Sequence, residues 1–160
     1  MEILKATTGD LDSITAIYDN ARKFMCENGN PNQWTNGYPT REDVLGDISN
    51  GNSYVVKEGD EVLAVFVFIL GEEPTYQVIK DGNWSYDLPY GTIHRIASSG
   101  KAGNITGICF EYCLVKVDYL RIDTHKDNLP MRRAIERFGF KECGIIYVRN
   151  GERIAFDYRK

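Results

Sequence analysis

The sequence predicts an α/β fold built on an α+β mixed sheet, with elements in the order β-α-α-β-β-β-α-β-α-β-β. Three observations carry that reading. Short runs alternate apolar and polar side chains, while longer runs repeat apolar residues at steps of three and four, the periods of strands and helices. The run "VLAVFVFIL" is apolar almost throughout, as suits a central strand covered on both faces. The β-α-β-α succession from Thr92 to Phe138 implies a right-handed crossover between parallel strands. At 160 residues, with no repeat, low-complexity stretch or linker, the chain reads as one domain, 1–160, long enough for its own core.

Each element follows from its local pattern. "EILKAT" alternates and reads as a half-buried strand. In "GDLDSITAIYDNARKFM", the residues Leu11, Ile14, Ile17, Tyr18, Ala21, Phe24 and Met25 form one apolar stripe. That is an amphipathic helix with an Asp or Thr cap near its start. "NGNPNQWTNGYPT" is a loop by its Gly, Pro and Asn content, and "REDVLGDIS" is a short helix. "SYVVKEGDEVLAVFVFIL" folds as two strands about the turn "EGDE". Residues 71–90 are irregular and rich in aromatics, and "GTIHRIAS" is a strand. A helix runs from about Ile105 to Val117, followed by the strand "YLRIDT". "NLPMRRAIERFGF" is a helix with Pro130 in its permitted first turn and Gly139 as its stop. Two alternating runs flank Asn150-Gly151, a strong hairpin signal.

Composition narrows the function classes. Hydrophobic residues make up 42% and charged residues 26%, ordinary for a soluble globular protein, and the net charge is −4. This excludes a general nucleic-acid or membrane-surface binder but leaves room for a local basic site. Of the cysteines Cys26, Cys109, Cys113 and Cys143, none forms a CxxC pair, and no Cys/His set has zinc spacing, so no metal is expected. Cys109 and Cys113 stand i,i+4 on a predicted helix and read as small apolar core fillers. The opening "MEILKATTGDLD" lacks a signal-peptide pattern, and the longest apolar run is far short of the roughly 20 residues of a membrane span. A cytoplasmic location is the expectation.

The stretch most suggestive of chemistry is "SSGKAGNITGICF". In a strand–loop–helix unit, the unpaired N–H groups at the helix start and the helix dipole together favour an anion. Glycines allow close approach and Lys101 adds charge. The stretch lacks the Gly-Lys-Ser/Thr ending of a P-loop and the G-x-G-x-x-G spacing of a dinucleotide fold, so alone it reads equally as a structural turn.

In its setting it says more. The strand "IHRIAS", the loop "KAGNIT", a helix, the strand "LRIDT" and the helix "DNLPMRRAIERFGF" together resemble the GNAT-type N-acetyltransferases. The resemblance spans nearly the whole chain, and "QWTNGYP" and "YGTIHRIA" resemble a bacterial subgroup. The family's coenzyme loop reads Q/R-x-x-G-x-G/A, which puts Lys101 at the Q/R position, Asn104 at the first glycine and Thr106 at the Gly/Ala. The resemblance implies that the backbone of Lys101, Ala102, Gly103, Asn104, Ile105, Thr106 and Gly107 holds the pyrophosphate of acetyl-CoA. It also implies that the strand Ile93–Ser98 splays from Leu120–Thr124. The pantetheine arm would then pair with backbone at Ile96, Ala97 and Ser98, and Asn128 would contact the coenzyme. The family's later helix often reads N-x-x-A-x-x-L-Y-x-x-x-G-F. Its tyrosine, often a general acid, falls here on Ile135, which has no proton to give.

The chemistry implied is direct attack of a neutral amine on the thioester, with a backbone N–H near Ile96 polarising the carbonyl oxygen. His94 and Asp123 are the candidate bases. His94 reads equally as a hydrogen-bonded strand residue, and Asp123 as a cap or a partner of Arg95 or Arg121. His125 reads as structural. Trp34, Tyr38, Trp84 and Tyr90 are candidate acceptor-binding residues, since loop aromatics suit an apolar pocket or a cation–π contact; each reads also as a plug at the end of the core. The expected partner is a small-molecule or peptide amine, with no nucleic acid and no membrane. A homodimer could form through sheet edges or the C-terminal hairpin, but nothing in the sequence requires one. The alternative is a non-catalytic acyl-CoA-binding or regulatory module on the same fold.

Overall fold

The computed structural model describes residues 1–160. Its elements are β1 (Glu2–Lys5), α1 (Leu11–Glu27), α2 (Arg41–Ser49), β2 (Ser53–Glu58), β3 (Glu61–Leu70), β4 (Gly91–Ser98), α3 (Ile105–Leu114), β5 (Tyr119–Thr124), α4 (Leu129–Phe138), β6 (Lys141–Val148) and β7 (Gly151–Arg159). Two single 3-10 turns, at Thr8–Asp10 and Pro74–Tyr76, complete the chain. The strands form one seven-stranded mixed sheet in the order β1-β2-β3-β4-β5-β7-β6. β4 and β5 are parallel and paired at Gly91↔Leu120 and Thr92↔Arg121. The predicted order of elements is therefore the observed one.

The contacts divide the chain into two compact units, Met1–Phe68 with His94–Ile105, and Ile69–Ile93 with Thr106–Lys160. In the first, α1 buries Leu11, Ile14, Ile17 and Tyr18 against Val44, Val55, Val65 and Ala97. Each large apolar side chain buried this way contributes roughly 1.5–3 kcal/mol. Leu63 through Phe68 of β3 are all buried, as a covered strand requires. The entry to α1 is held by Asp10, whose carboxylate accepts from the Thr7 N–H at 2.9 Å and pairs with Lys57 at 2.8 Å. Burial pushes this carboxyl up, but Lys57 and Thr7 outweigh it and leave it below the usual carboxylate range. At α2, Thr40 Oγ1 accepts from the Asp43 N–H at 3.1 Å while Asp43 accepts from the Thr40 N–H at 2.8 Å, a reciprocal capping box.

In the second unit, Tyr76, Tyr90, Tyr119, Ile146 and Ala155 form the core of one cluster. Phe110, Phe138, Phe140 and Tyr158 pack as another group of rings, with centroids 4.8–5.8 Å apart. Gly139 ends α4 at φ +117°, the left-handed cap expected of it. Cys109 and Cys113 are buried free thiols, and burial pushes Cys109 up to about 12.

Two boundaries differ from expectation. α3 ends at Leu114 rather than Val117, because Val115 and Lys116 bond back three residues and the turn tightens, with Val115 82% exposed. The hairpin turn lies at Arg149–Asn150, since Val148 pairs with Gly151 and that glycine, at φ +126°, is already the first residue of β7.

Candidate active site

The loop after β4 takes its shape from short-range bonds. Ser99 is tied back by its N–H to the Leu63 carbonyl at 2.8 Å. Ser98 Oγ accepts from the Gly100 N–H at 3.1 Å, and Ser99 Oγ accepts weakly from the Lys101 N–H at 3.4 Å. Gly100 is left-handed at φ +81°, and so is Asn104, at φ +55°, immediately before α3. Asn is among the few non-glycine residues that enter this region readily, which accounts for its place at a glycine position. Ile105 is buried, anchoring the start of α3, while Thr106 and Gly107 are half-buried in its first turn. The first N–H groups of a helix have no partner within it, so the loop ends on a set of donors suited to an anion. Ala102 is half-buried and Gly103 exposed. Lys101 pairs with Glu61 at 2.8 Å, but both side chains are at least half exposed, so the pair is weak and the lysine stays available.

Within β4 the backbone departs from strand geometry at a single residue. Arg95 has φ +50°, which is uncommon for a non-glycine residue and marks strain held by its surroundings. Those surroundings are specific. Arg95 Nη1 donates to both Asp47 carboxylate oxygens at 2.6 Å, and Nε donates to Tyr38 Oη at 2.7 Å. The Arg95 carbonyl accepts from the Tyr18 hydroxyl at 2.7 Å. Trp34 packs edge-on to both Tyr18 and Tyr38, with centroids at 5.5 and 6.5 Å. Burial pushes the Tyr38 hydroxyl above its ordinary value despite the nearby guanidinium, so it keeps its proton at neutral pH. Trp34 and Tyr38 thus belong to one network with Arg95. His94, beside Arg95, is half-buried. Ile96 and Ser98 are half-buried and Ala97 is buried.

Asp123 lies on β5, and its Oδ2 accepts from the Tyr76 hydroxyl at 2.6 Å. Burial first, then the Asp123 charge, pushes Tyr76 well above its ordinary value, so Tyr76 holds its proton and donates to the carboxylate. Arg95 is engaged with Asp47. The Arg121 guanidinium lies 4.3 and 4.1 Å from the ring centroids of Trp84 and Tyr90 and donates to the Tyr86 carbonyl at 2.8 Å. The cation these two aromatics hold is therefore the protein's own. Their polar atoms are engaged too, with Trp84 Nε1 donating to the Tyr76 carbonyl and Tyr90 Oη accepting from the Glu73 N–H. Asp157, also buried, accepts from the Ser85 N–H and hydroxyl and from Tyr119, fixing the 84–90 segment further. Asn128 caps α4, accepting from the Met131 N–H at 3.3 Å. Ile135 is fully buried in α4.

His125 Nδ1 accepts from the Asp127 N–H at 3.1 Å. Burial and the Arg153 charge depress its pKa, so the ring is neutral at pH 7, in keeping with a structural place. No group of three or more His, Cys, Asp and Glu is arranged to hold a metal ion, and no helix is long and apolar enough to cross a membrane. The clamp of Tyr18, Asp47 and Arg95 and the Tyr76–Asp123 bond escape sequence reading, because their partners lie 47 to 77 residues apart. Asp123 and Arg95 stood out in the sequence, but Tyr76 and Asp47 did not show there as their partners.

Comparison with solved structures decides the family. A GNAT-family acetyltransferase from Streptococcus agalactiae 2603 superposes with a TM-score of 0.88 at 30% sequence identity, covering 99% of this chain and 95% of that one. The chain belongs to the GNAT acetyltransferase family. Two further GNAT-like folds align over nearly their full lengths. An acetyltransferase from Staphylococcus aureus Mu50 has a TM-score of 0.74 at 22% identity, covering 99% of each chain. A ribosomal-protein-alanine N-acetyltransferase from Brucella melitensis has a TM-score of 0.63 at 15% identity, covering 100% of each chain. No family model matches the GNAT chain, and a search of curated proteins finds no match.

Proposed function

We propose that this GNAT chain is an acetyl-CoA-dependent N-acetyltransferase whose acceptor is an amine on a small molecule or peptide. The loop carries the reading. Its left-handed Gly100 and Asn104 lead into the open N-terminus of α3, a form suited to the coenzyme pyrophosphate. Residues 101–107 bind that group, Asn128 contacts the coenzyme arm, and the backbone of Ile96–Ser98 pairs with the pantetheine. The acyl thioester supplies an activated carbonyl. An N–H near Ile96 polarises its oxygen as the neutral amine attacks, and the thiolate departs.

The attacking amine must lose a proton, and His94 or Asp123 takes it, directly or through water. For Asp123 the bond from the Tyr76 hydroxyl at 2.6 Å holds the carboxylate in place for that role. Trp34 and Tyr38 border the acceptor. Trp84 and Tyr90, already gripping Arg121, support the acceptor side by holding the 84–90 segment still.

One observation favours a second reading, a non-catalytic acyl-CoA-binding module. Ile135, buried and without a proton, stands where the family's general acid often stands. The first test is thermal unfolding with free CoA and acetyl-CoA. A ligand at about a hundred times its Kd adds about 2.7 kcal/mol, a rise of several degrees. Unchanged melting at millimolar coenzyme would remove both readings.

A further inference from the structure

We infer that Asp47 is a positioning residue for acetyl transfer: through Arg95 it fixes the left-handed backbone of β4 beside the N–H groups that meet the thioester. The inference rests on the proposed function for its chemistry and on the geometry for its mechanism. Arginine at φ +50° inside a strand is held against its own preference, and it relaxes unless something grips it. Three groups grip it. Asp47 takes the Nη1 end, Tyr38 takes Nε, and the Tyr18 hydroxyl takes the main-chain carbonyl. Tyr18 is almost fully buried and cannot swing away, and Asp47 projects from α2, a helix with a closed capping box at its start. The charged and titratable groups around the carboxylate are Arg95, Asp43 and His94, with Tyr38 and Tyr18 on the facing side.

A turned residue redirects the peptides on either side of it. The N–H of Ile96, the next in the chain, is aimed by the dihedrals at Arg95. A donor to a developing oxyanion works only in a narrow range of position. The clamp therefore acts on the rate of the chemical step. The pyrophosphate loop, residues 101–107, lies beyond the clamped turn in the chain.

Comparing alanine with glycine at position 95 separates aim from contact. Both remove the clamp, but glycine enters positive φ freely. Arg95→Ala should lower kcat by roughly a hundredfold, and Arg95→Gly should recover at least about fivefold of that loss. Asp47→Asn should lower kcat about tenfold. Equal kcat for the alanine and glycine variants, or full kcat in Asp47→Asn, would overturn the inference. Amide hydrogen exchange at residues 95–98 provides a readout independent of catalysis. It should quicken in Asp47→Asn, and unchanged exchange overturns the clamp even if the wild-type chain releases no thiol and the transferase reading has itself failed. Should Asp47→Asn not fold, Asp47→Ser carries the same test, with the same expected loss of protection and of kcat.

Discussion

Asn104 and Lys101 are the side chains through which the proposed coenzyme loop is tested residue by residue. Asn104 supplies a left-handed residue where the family motif has glycine, and its φ of +55° costs little for Asn. Asn104→Gly should therefore leave the Kd for CoA within about twofold of wild type or tighten it, since glycine reaches the same conformation freely. A large loss would mean that the amide itself touches the coenzyme. Lys101 has only an exposed tie to Glu61, so Lys101→Glu removes no structural bond of consequence. It should weaken CoA binding roughly fivefold to tenfold by setting a negative charge near the pyrophosphate. Isothermal titration with free CoA measures both. His125 makes a different prediction. Its folded-state pKa lies below the ordinary 6.5, so the unfolded chain binds the proton more readily. Its contribution to stability is present above about pH 6.5 and is lost as pH falls through the window below it. Melting temperatures at about pH 7.5 and about pH 5.5 should differ less in His125→Gln than in the wild type.

Among the elements, the clearest constraint lies where the 71–90 segment meets β6. Lys80 and Ile145 exchange two backbone bonds of 2.8 Å, and Gly82 follows so closely that an added Cβ would stand 1.8 Å from the Cys143 carbonyl oxygen. The obstacle is backbone and cannot rotate aside. Gly82→Ala should destabilise the fold by roughly 2–3 kcal/mol, read as a lower denaturant midpoint with an unchanged slope. The elements themselves were legible because each advertises a period and a stop, as Ile14, Ile17 and Tyr18 do for α1 and Gly139 does for α4. The hairpin was found but displaced by one residue, since glycine after a turn and glycine within it leave the same mark on a sequence. The partnerships were not legible. Nothing near Arg95 in the chain announces Asp47, and the aromatics at 84 and 90 look the same whether they await a ligand or hold Arg121. Such pairings are decided by which elements meet, and local patterning carries no record of that.

For the molecule as a whole, family membership follows from likeness over nearly the full chain, whereas the proposed reaction draws on three local features. These are the loop entering α3, the clamped turn at Arg95 and the Asp123–Tyr76 pair. Each has a rationale in this chain's own bonds, and the proposal reads them as parts of an acyl-CoA transferase that works without a tyrosine in α4. If water or another group protonates the departing thiolate, the loss of that tyrosine leaves transfer intact. The direct measurement is thiol release from acetyl-CoA in the presence of a panel of amines, with mass spectrometry of each amine. The account predicts that at least one acceptor is acetylated in step with the thiol released. Clear binding of CoA with no acetylated amine, and no thiol beyond slow hydrolysis, would contradict it and leave a coenzyme-binding module in its place.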